Sequence, residues 1–334
     1  MPLFLALLQR ETAGDPARAA RALAGLRAYQ EAPRPPAPAL MPAVAEAGGA
    51  MLRDYGGEGP AVLFVPSLIN PPRVLDLGER SLLRWLAGRG RRVLLLDCGA
   101  PDVARQSLSV AGHVEQILLP LMRALAEPVD LVGYCLGGTM ALAAAQLGPS
   151  RSVTTLAAPW RFSGFSDESR ADLARLWRDA AAVVERLGVL PMEALQSAFW
   201  SLDPGRTVAK FEALAEMDAE GRAAFVALED WANDGPPLAG AAARELFEDF
   251  FAADLPGRGA WQVAGAAIDP AQLTIPFLNI VSTTDRIVPS ASAAEAGERL
   301  DLESGHVGMV VGSRAEASLW RPLEAWLSRV SPAC

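Results

Sequence analysis

The sequence contains few cysteines and few histidines, the residues that build disulfide frameworks and most metal centres. It has three cysteines, Cys98, Cys135 and Cys334, and two histidines among 334 residues. An odd number of widely spaced cysteines, without a signal peptide, predicts a reducing cytoplasm rather than a disulfide scaffold. No two cysteines have the spacing of metal ligands, so we expect neither a metal site nor a cofactor.

Positive charge and long apolar runs are also scarce. The formal net charge is −9, and basic residues are scattered rather than clustered, which excludes nucleic acid as the expected partner. The apolar start, Met1–Leu8, is too short for a membrane span and lacks a basic flank, which favours an amphipathic helix. Apolar residues nevertheless make up 51% of the chain. This is enough for one large α/β domain with an insertion, or for two smaller domains.

Apolar segments of strand length alternate with segments of helical periodicity through most of the chain. Short continuous apolar runs are typical of parallel strands buried on both faces, so we predict a mostly parallel sheet flanked by helices. The predicted strands are 61–66, 92–97, 129–134, 153–158 and 274–281, with a short last strand near 298–302. The predicted helices are 75–86, 107–125 and 315–330.

Two segments depart from this alternation. Residues 1–31 have helical periodicity and precede a proline-rich spacer, so residues 1–50 are interpreted as an N-terminal appendage. Residues 159–273 contain no convincing strand and are predicted to be a helical lid inserted into a core of residues 51–158 and 274–334. The insertion holds Trp160, Trp177, Trp200, Trp231 and Trp261. We interpret most of these as packing inside the lid, the alternative being that some line an apolar substrate channel.

The segment Gly133–Gly138, which reads Gly-Tyr-Cys-Leu-Gly-Gly, follows a predicted strand and opens an alanine-rich helix. It resembles the nucleophile elbow of α/β hydrolases, whose sharp turn exposes the nucleophile at the top of the sheet. Cys135 stands where most members have serine. Gly133 and Gly137 are expected there because a Cβ would collide with the facing strand or helix. The start of the following helix favours a thiolate at this position.

Cys135, Asp285 and His306 follow one another in the order nucleophile, acid, histidine, which is the order of α/β hydrolases. In such an arrangement the imidazole takes the proton of the thiol, and the thiolate attacks an acyl carbon. The acid holds the tautomer of the imidazole and stabilises its charged form. We expect the oxyanion to be bound by the backbone N–H groups of Leu136 and Leu68.

Other residues of the same types are interpreted as structural. His113 lies in a predicted helix ahead of the nucleophile. Cys98 follows a strand but has no glycine elbow around it, so it is interpreted as a small buried residue. Three other carboxylates are alternatives to Asp285 as the catalytic acid. Asp97 and Asp102 precede the nucleophile in the sequence, and Asp269 precedes the strand that presents Asp285.

With these residues the sequence resembles the polyhydroxyalkanoate synthases, whose nucleophile box reads Gly-x-Cys-x-Gly-Gly. The similarity covers roughly residues 55–330 and includes further motifs. These are Pro66–Asn70 with Val74–Leu77, Leu96–Asp102, Phe225–Asp234 and Ser304–Met309. The sequence departs from the family at Cys98, where tryptophan is usual, and at Arg286, where a histidine often follows the acid.

The resemblance implies an α/β-hydrolase fold and acyl transfer from 3-hydroxyacyl-CoA to a growing polyester, through a covalent Cys135 intermediate and with release of CoA. The short chain resembles the type of catalytic subunit that pairs with a second subunit, and the family also suggests a homodimer. It implies a location in the cytoplasm or at the surface of the polyester granule. Two alternatives stay open: a thioesterase or depolymerase built on the same elbow, and a non-catalytic paralogue that binds granules or a synthase partner.

Overall fold

The computed structural model describes residues 2–34, 38–78 and 80–332. Cys334 and residues 35–37 of the proline-rich spacer lie outside the described residues. The chain forms two compact units. The smaller unit combines the residues up to Ala39 with Met192–Gly235, and the larger unit combines Leu40–Pro191 with the residues from Pro236 onward.

An eight-stranded sheet forms the centre of the larger unit. Its strands are β1 (Ala43–Ala47), β2 (Ala50–Asp54), β3 (Ala61–Val65), β4 (Arg92–Asp97), β5 (Val129–Tyr134), β6 (Ser150–Leu156), β7 (Phe277–Ser282) and β8 (Glu298–Leu302). Their order across the sheet is β1-β2-β4-β3-β5-β6-β7-β8. All pairs from β4 to β8 are parallel, whereas β1 and β2 pair antiparallel. The prediction of a mostly parallel sheet is confirmed.

The central strands are buried along their whole length because helices cover both faces of the sheet. Every residue of β3, β5 and β7 is buried. The helices of the larger unit are α3 (Leu82–Ala87), α4 (Val110–His113), α5 (Leu119–Ala124), α6 (Leu136–Leu147), α7 (Asp167–Leu187), α11 (Gly240–Arg244), α12 (Gly308–Val311) and α13 (Arg321–Val330). Those of the smaller unit are α1 (Pro2–Glu11), α2 (Pro16–Glu31), α8 (Met192–Ser201), α9 (Pro204–Leu214) and α10 (Ala219–Asn233). Within the described ranges, no helix is both long and apolar enough to cross a membrane.

The structure differs from the predicted elements in two places. The predicted helix 75–86 is wrong in its first half, since a short hairpin of Asp76–Leu77 and Arg80–Ser81 precedes α3. The sheet also begins earlier than expected, because β1 and β2 lie partly within the segment assigned to the N-terminal appendage. Three of the five residues of β1 are alanine and its side chains are mostly exposed. Such a strand has no apolar run from which to predict it.

The predicted helical character of residues 159–273 is confirmed. Its strands are two-residue pairs, Val189–Leu190 with Leu238–Ala239 and Gln262–Val263 with Ala266–Ala267, and neither joins the large sheet. Trp160, Trp177, Trp231 and Trp261 are buried. In the larger unit, Trp261 donates to Glu245 at 2.7 Å, and Trp177 stacks on Phe247 and donates to Glu248. These contacts support packing inside the segment for Trp177 and Trp261, whereas Trp200 packs edge-on against Phe4 of α1, outside the segment, with ring centroids 5.3 Å apart.

The smaller unit is held together by an apolar cluster and an ionic contact that join its N-terminal helices to α9 and α10. The cluster consists of Phe4, Leu7, Leu8, Ala22, Leu26, Val208 and Phe211. A Cβ on Gly25 would lie 1.8 Å from the carbonyl oxygen of Phe211, so α2 and α9 pack with their backbones close together. The hydroxyl of Tyr29 donates to Asp230 at 2.6 Å, and the guanidinium of Arg34 also binds that carboxylate.

Candidate active site

Cys135 occupies a sharp turn between β5 and α6. Its φ is 55°, a left-handed conformation that costs free energy for any residue except glycine. Two backbone hydrogen bonds hold this conformation. The N–H of Cys135 donates to Leu156 on the neighbouring strand at 3.0 Å, and the N–H of Gly138 donates to the carbonyl of Cys135 at 2.8 Å. The turn therefore holds Cys135 at the carboxyl end of β5.

The glycines of the elbow lie where a side chain would meet backbone atoms. A Cβ on Gly133 would lie 2.4 Å from the Cα of Gly138. A Cβ on Gly137 would lie 2.1 Å from the carbonyl oxygen of Val65 and 2.4 Å from that of Pro66. The expectation that a Cβ would collide with the facing helix and strand is thus confirmed for Gly133 and Gly137.

Substitution Gly137→Ala is expected to lower the free energy of unfolding by about 3 kcal/mol or more, because backbone atoms rather than flexible side chains must move. Urea unfolding measures this change. The matched control is Gly205→Ala in α9, where a Cβ would have no neighbour within 4 Å, so stability should change by less than about 1 kcal/mol. Equal stability of both variants would show that the elbow is not packed this tightly.

Asp285 and His306 are in direct contact. The Nδ1 atom of His306 lies 2.5 Å from Oδ2 of Asp285, and the side chain of Asp285 is fully buried. The other carboxylate oxygen, Oδ1, accepts from the backbone N–H groups of Ile287 at 2.7 Å and Val288 at 3.1 Å. Both donors are backbone groups, so this support does not depend on which side chain stands at position 286.

Cys135 also acts on the imidazole of His306, because its charge and hydrogen-bonding side chain are among the causes that raise the pKa of the ring. Because a carboxylate only accepts, Nδ1 carries the proton that binds Asp285. The second ring nitrogen, Nε2, is then the one that can accept the proton of the thiol. Burial lowers the pKa of His306, but the charge and hydrogen bonds of Cys135 and Asp285 outweigh burial and raise it to about 10. The structure thus brings the three predicted residues together, while their catalytic roles stay predictions.

The raised pKa of His306 has a consequence for stability. Folding favours the protonated imidazole, so this contribution is complete below pH 6.5 and is lost as the pH rises through about 10. We expect the difference in melting temperature between the wild type and His306→Gln to be largest near pH 6 and to shrink towards pH 10.5. Thermal unfolding at several pH values measures this difference.

The other histidine, His113, gives the opposite pH dependence and is the control. It is buried, its Nδ1 atom lies 2.7 Å from the carbonyl oxygen of Ser109, and burial lowers its pKa. Its contribution is present above pH 6.5 and is lost as the pH falls, so the His113→Gln difference should shrink towards low pH. Parallel pH profiles for the two variants would contradict the assignment of the charged histidine.

The remaining candidates have structural partners. Asp97 pairs with Arg53 at 3.1 Å, while the carboxylates of Asp102 and Asp269 cap short turns through backbone N–H groups. Burial raises the pKa of the Cys98 thiol to about 12, so it stays protonated at neutral pH. The interpretation of these residues and of His113 as structural agrees with these contacts.

The two predicted oxyanion donors belong to the start of α6 and to the loop after β3. Leu136 is the first residue of α6, and N–H groups at the start of a helix have no partner within the helix. Leu68 lies in the loop after β3, in which the N–H of Ile69 donates to the hydroxyl of Ser67 at 3.2 Å. The start of this loop lies against Gly137, since the carbonyls of Val65 and Pro66 face that glycine. The donor role of both N–H groups stays a prediction.

Tyr134 and Ser282 contribute contacts that the sequence analysis does not identify. The hydroxyl of Tyr134 donates to the carbonyl of His306 at 3.2 Å, and that of Ser282 donates to the carbonyl of Ser304. Only their positions in the chain could have indicated these contacts, because Tyr134 directly precedes the nucleophile and Ser282 is the last residue of β7. In the described part of the chain, no three residues of the types His, Cys, Asp and Glu are grouped as a metal site.

Comparison with known proteins agrees with this geometry. Residues 60–313 match the family model of the alpha/beta hydrolase fold. The chain is 29% identical to the poly(3-hydroxyalkanoate) polymerase subunit PhaC of Haloferax mediterranei, over 81% of this chain and 59% of that protein. It is also 29% identical to the subunit of the same name from Allochromatium vinosum, over 80% of each. The chain therefore spans about three fifths of the archaeal relative and four fifths of the bacterial one.

A structural comparison gives the same fold. A hydrolase from Pseudomonas aeruginosa PA01 superposes with a TM-score of 0.55 at 18% identity, covering 84% of this chain and 93% of that one. Identity at this level is informative about the fold only. It confirms the predicted fold class, and the relatives above confirm the resemblance to polyhydroxyalkanoate synthases.

Proposed function

The chain belongs to the α/β-hydrolase fold family, and from this premise we propose that it transfers acyl groups from 3-hydroxyacyl-CoA to the end of a growing polyester. Cys135 is the nucleophile, His306 the general base and acid, and Asp285 the residue that orients the imidazole. The names of the relatives from Haloferax mediterranei and Allochromatium vinosum support the substrate class.

The observation that carries the proposal is that His306 interacts with both other residues: Asp285 Oδ2 lies 2.5 Å from its Nδ1, and Cys135 raises its pKa. These interactions join a strained elbow, a buried imidazole and a buried carboxylate that lie far apart in the sequence. A buried carboxylate whose second oxygen is held by two backbone N–H groups keeps its orientation while the imidazole changes protonation state. This arrangement supports acyl transfer through a covalent intermediate.

In the first step the sulfur of Cys135 attacks the thioester carbonyl carbon after His306 has taken the thiol proton. A new carbon–sulfur bond forms, the bond to the sulfur of CoA breaks, and the imidazolium returns its proton to the departing CoA thiolate. The N–H groups of Leu136 and Leu68 would bind the oxyanion of the tetrahedral intermediate, which forms before the bond to CoA breaks. Exchange of one thioester for another is nearly neutral in free energy, which explains why sulfur suits this position.

In the second step a 3-hydroxyl group attacks the acyl thioester on Cys135. His306 takes the hydroxyl proton, the new ester bond forms, and the carbon–sulfur bond breaks to restore the thiolate. Water competes with the hydroxyl for the same intermediate. We propose that the part of the predicted lid that belongs to the larger unit, residues 159–191 and 236–273, excludes water from it.

The same proposal extends to partners and location. The relatives are named as subunits, which supports pairing of this chain with a second synthase subunit. A homodimer is the other assembly that we propose. The place of action would be the cytoplasm or the surface of the polyester granule.

Incubation of the purified chain with 3-hydroxybutyryl-CoA tests the function, with the chain used alone and together with any subunit that co-purifies with it. We expect release of CoA, measured with a thiol reagent, together with insoluble polymer. Free 3-hydroxybutyrate without polymer would replace the proposal by a thioesterase. Absence of CoA release in both preparations would overturn both enzymatic functions and favour a non-catalytic paralogue.

A further inference from the structure

Tyr134 contacts both ends of the reacting pair, and we propose that it is a positioning residue that fixes the imidazole of His306 relative to Cys135. The inference rests on the proposed function, because it assigns a role within the same reaction. Tyr134 precedes Cys135 in the chain and is the last residue of β5. Tyr134 is therefore joined to the nucleophile by a peptide bond, and it contacts the histidine in space.

Two contacts join Tyr134 to His306. The phenol hydroxyl donates to the backbone carbonyl of His306 at 3.2 Å. The two rings lie in contact, with centroids 5.0 Å apart and planes inclined by 30°. Tyr134 is only 3% exposed, so both contacts are made in a packed and nearly dry environment.

The loop that carries His306 is anchored on both sides of the histidine. Ser282 donates to the carbonyl of Ser304, and the N–H of Met309 donates to the carbonyl of Gly305 at 2.9 Å. Tyr134 is the side chain that binds the carbonyl of His306 itself. Asp285 holds one ring nitrogen, but a single hydrogen bond does not fix the backbone that carries the ring. Tyr134 adds a backbone anchor and a contact with the ring.

The hydroxyl of Tyr134 is a donor at every working pH. Burial raises its pKa well above the ordinary value, and the nearby charges of Cys135 and Asp285 raise it further. The phenol therefore stays neutral beside a pair whose members exchange a proton. Its hydrogen bond to the carbonyl of His306 does not change while the imidazole changes charge.

Substitution Tyr134→Phe tests the inference because it removes the hydroxyl and keeps the ring. We measure alkylation of Cys135 by iodoacetamide against pH, following the mass of the peptide that contains Cys135, so the readout requires no polymerisation. We expect alkylation at pH 7 to be about fivefold slower and its pH midpoint to move upward, since a mobile imidazole stabilises the thiolate less well. The kcat for CoA release should fall by a similar factor, while KM stays unchanged.

The control is Tyr55→Phe in the same unit, which removes a phenol hydroxyl whose pKa is raised by burial and by Asp76 rather than by the residues of the site. Its alkylation profile and kcat should equal those of the wild type. The inference is overturned if Tyr134→Phe keeps the wild-type alkylation profile, even when its melting temperature falls, because the hydroxyl then has a structural role only. If the wild type alkylates as expected but releases no CoA, the proposed function fails, and the alkylation profiles still decide the role of Tyr134.

Discussion

Replacement of Cys135 by alanine is expected to lower CoA release from 3-hydroxybutyryl-CoA by about four orders of magnitude or more. The substitution removes the sulfur that forms the acyl enzyme and leaves His306 without the group that it deprotonates. Alanine keeps the Cβ, so the elbow at φ 55° should persist, and Ala157 already adopts a φ of 45° in the same unit. We therefore expect activity to be lost with little change in melting temperature. The rate of thiol release measures the effect.

Cys98→Ala is the matched control for this prediction. Cys98 is a second free cysteine, and burial keeps it as a thiol by raising its pKa to about 12. Its removal should leave CoA release within about twofold of the wild type. If Cys135→Ala kept more than a few per cent of the activity, the nucleophile would have to be assigned elsewhere.

The elements that the sequence predicts well are those whose burial is uniform. The residues of β3 and β5 are all buried, and their continuous apolar runs predict strands without any knowledge of their neighbours. The order of Cys135, Asp285 and His306 is likewise readable, because glycines surround the cysteine and histidine and the acid follows a buried strand. Local sequence is therefore sufficient to predict an element whose burial or turn geometry is visible in its own residues.

The contacts that the sequence does not predict are those between distant segments. Amphipathic periodicity indicates that α1 and α2 bury one face, but not that this face meets Val208 and Phe211 of α9. The bond from Tyr134 to His306 joins residues 172 positions apart. The strand β1 joins the sheet through backbone pairing with β2 rather than through an apolar pattern. Each of these depends on tertiary packing, which propensity and periodicity do not contain.

Substitution Asp285→Asn is expected to reduce kcat for CoA release by about 10⁴-fold while the fold is retained. The amide oxygen of asparagine can still accept from the N–H groups of Ile287 and Val288. The amide nitrogen then takes the place of Oδ2, which lies 2.5 Å from Nδ1 of His306. Because that nitrogen donates, Nδ1 must accept, and the imidazole proton moves to the nitrogen that should receive the proton of Cys135. The base is then present but in the wrong tautomer.

Asp269→Asn is the control for this tautomer argument, because the carboxylate of Asp269 caps a short turn ahead of β7 and accepts from the side chain of Gln272 at 3.0 Å, contacts that do not involve His306. Its Oδ1 accepts from the N–H of Ala271 at 3.0 Å, a bond that an amide oxygen also forms. We expect wild-type kcat for this variant and a loss for Asp285→Asn that appears in kcat rather than in KM, measured in the same assay. If Asp285→Asn kept wild-type kcat, His306 would not need this carboxylate to receive the proton. The contact between Asp285 and His306 would then serve the fold alone.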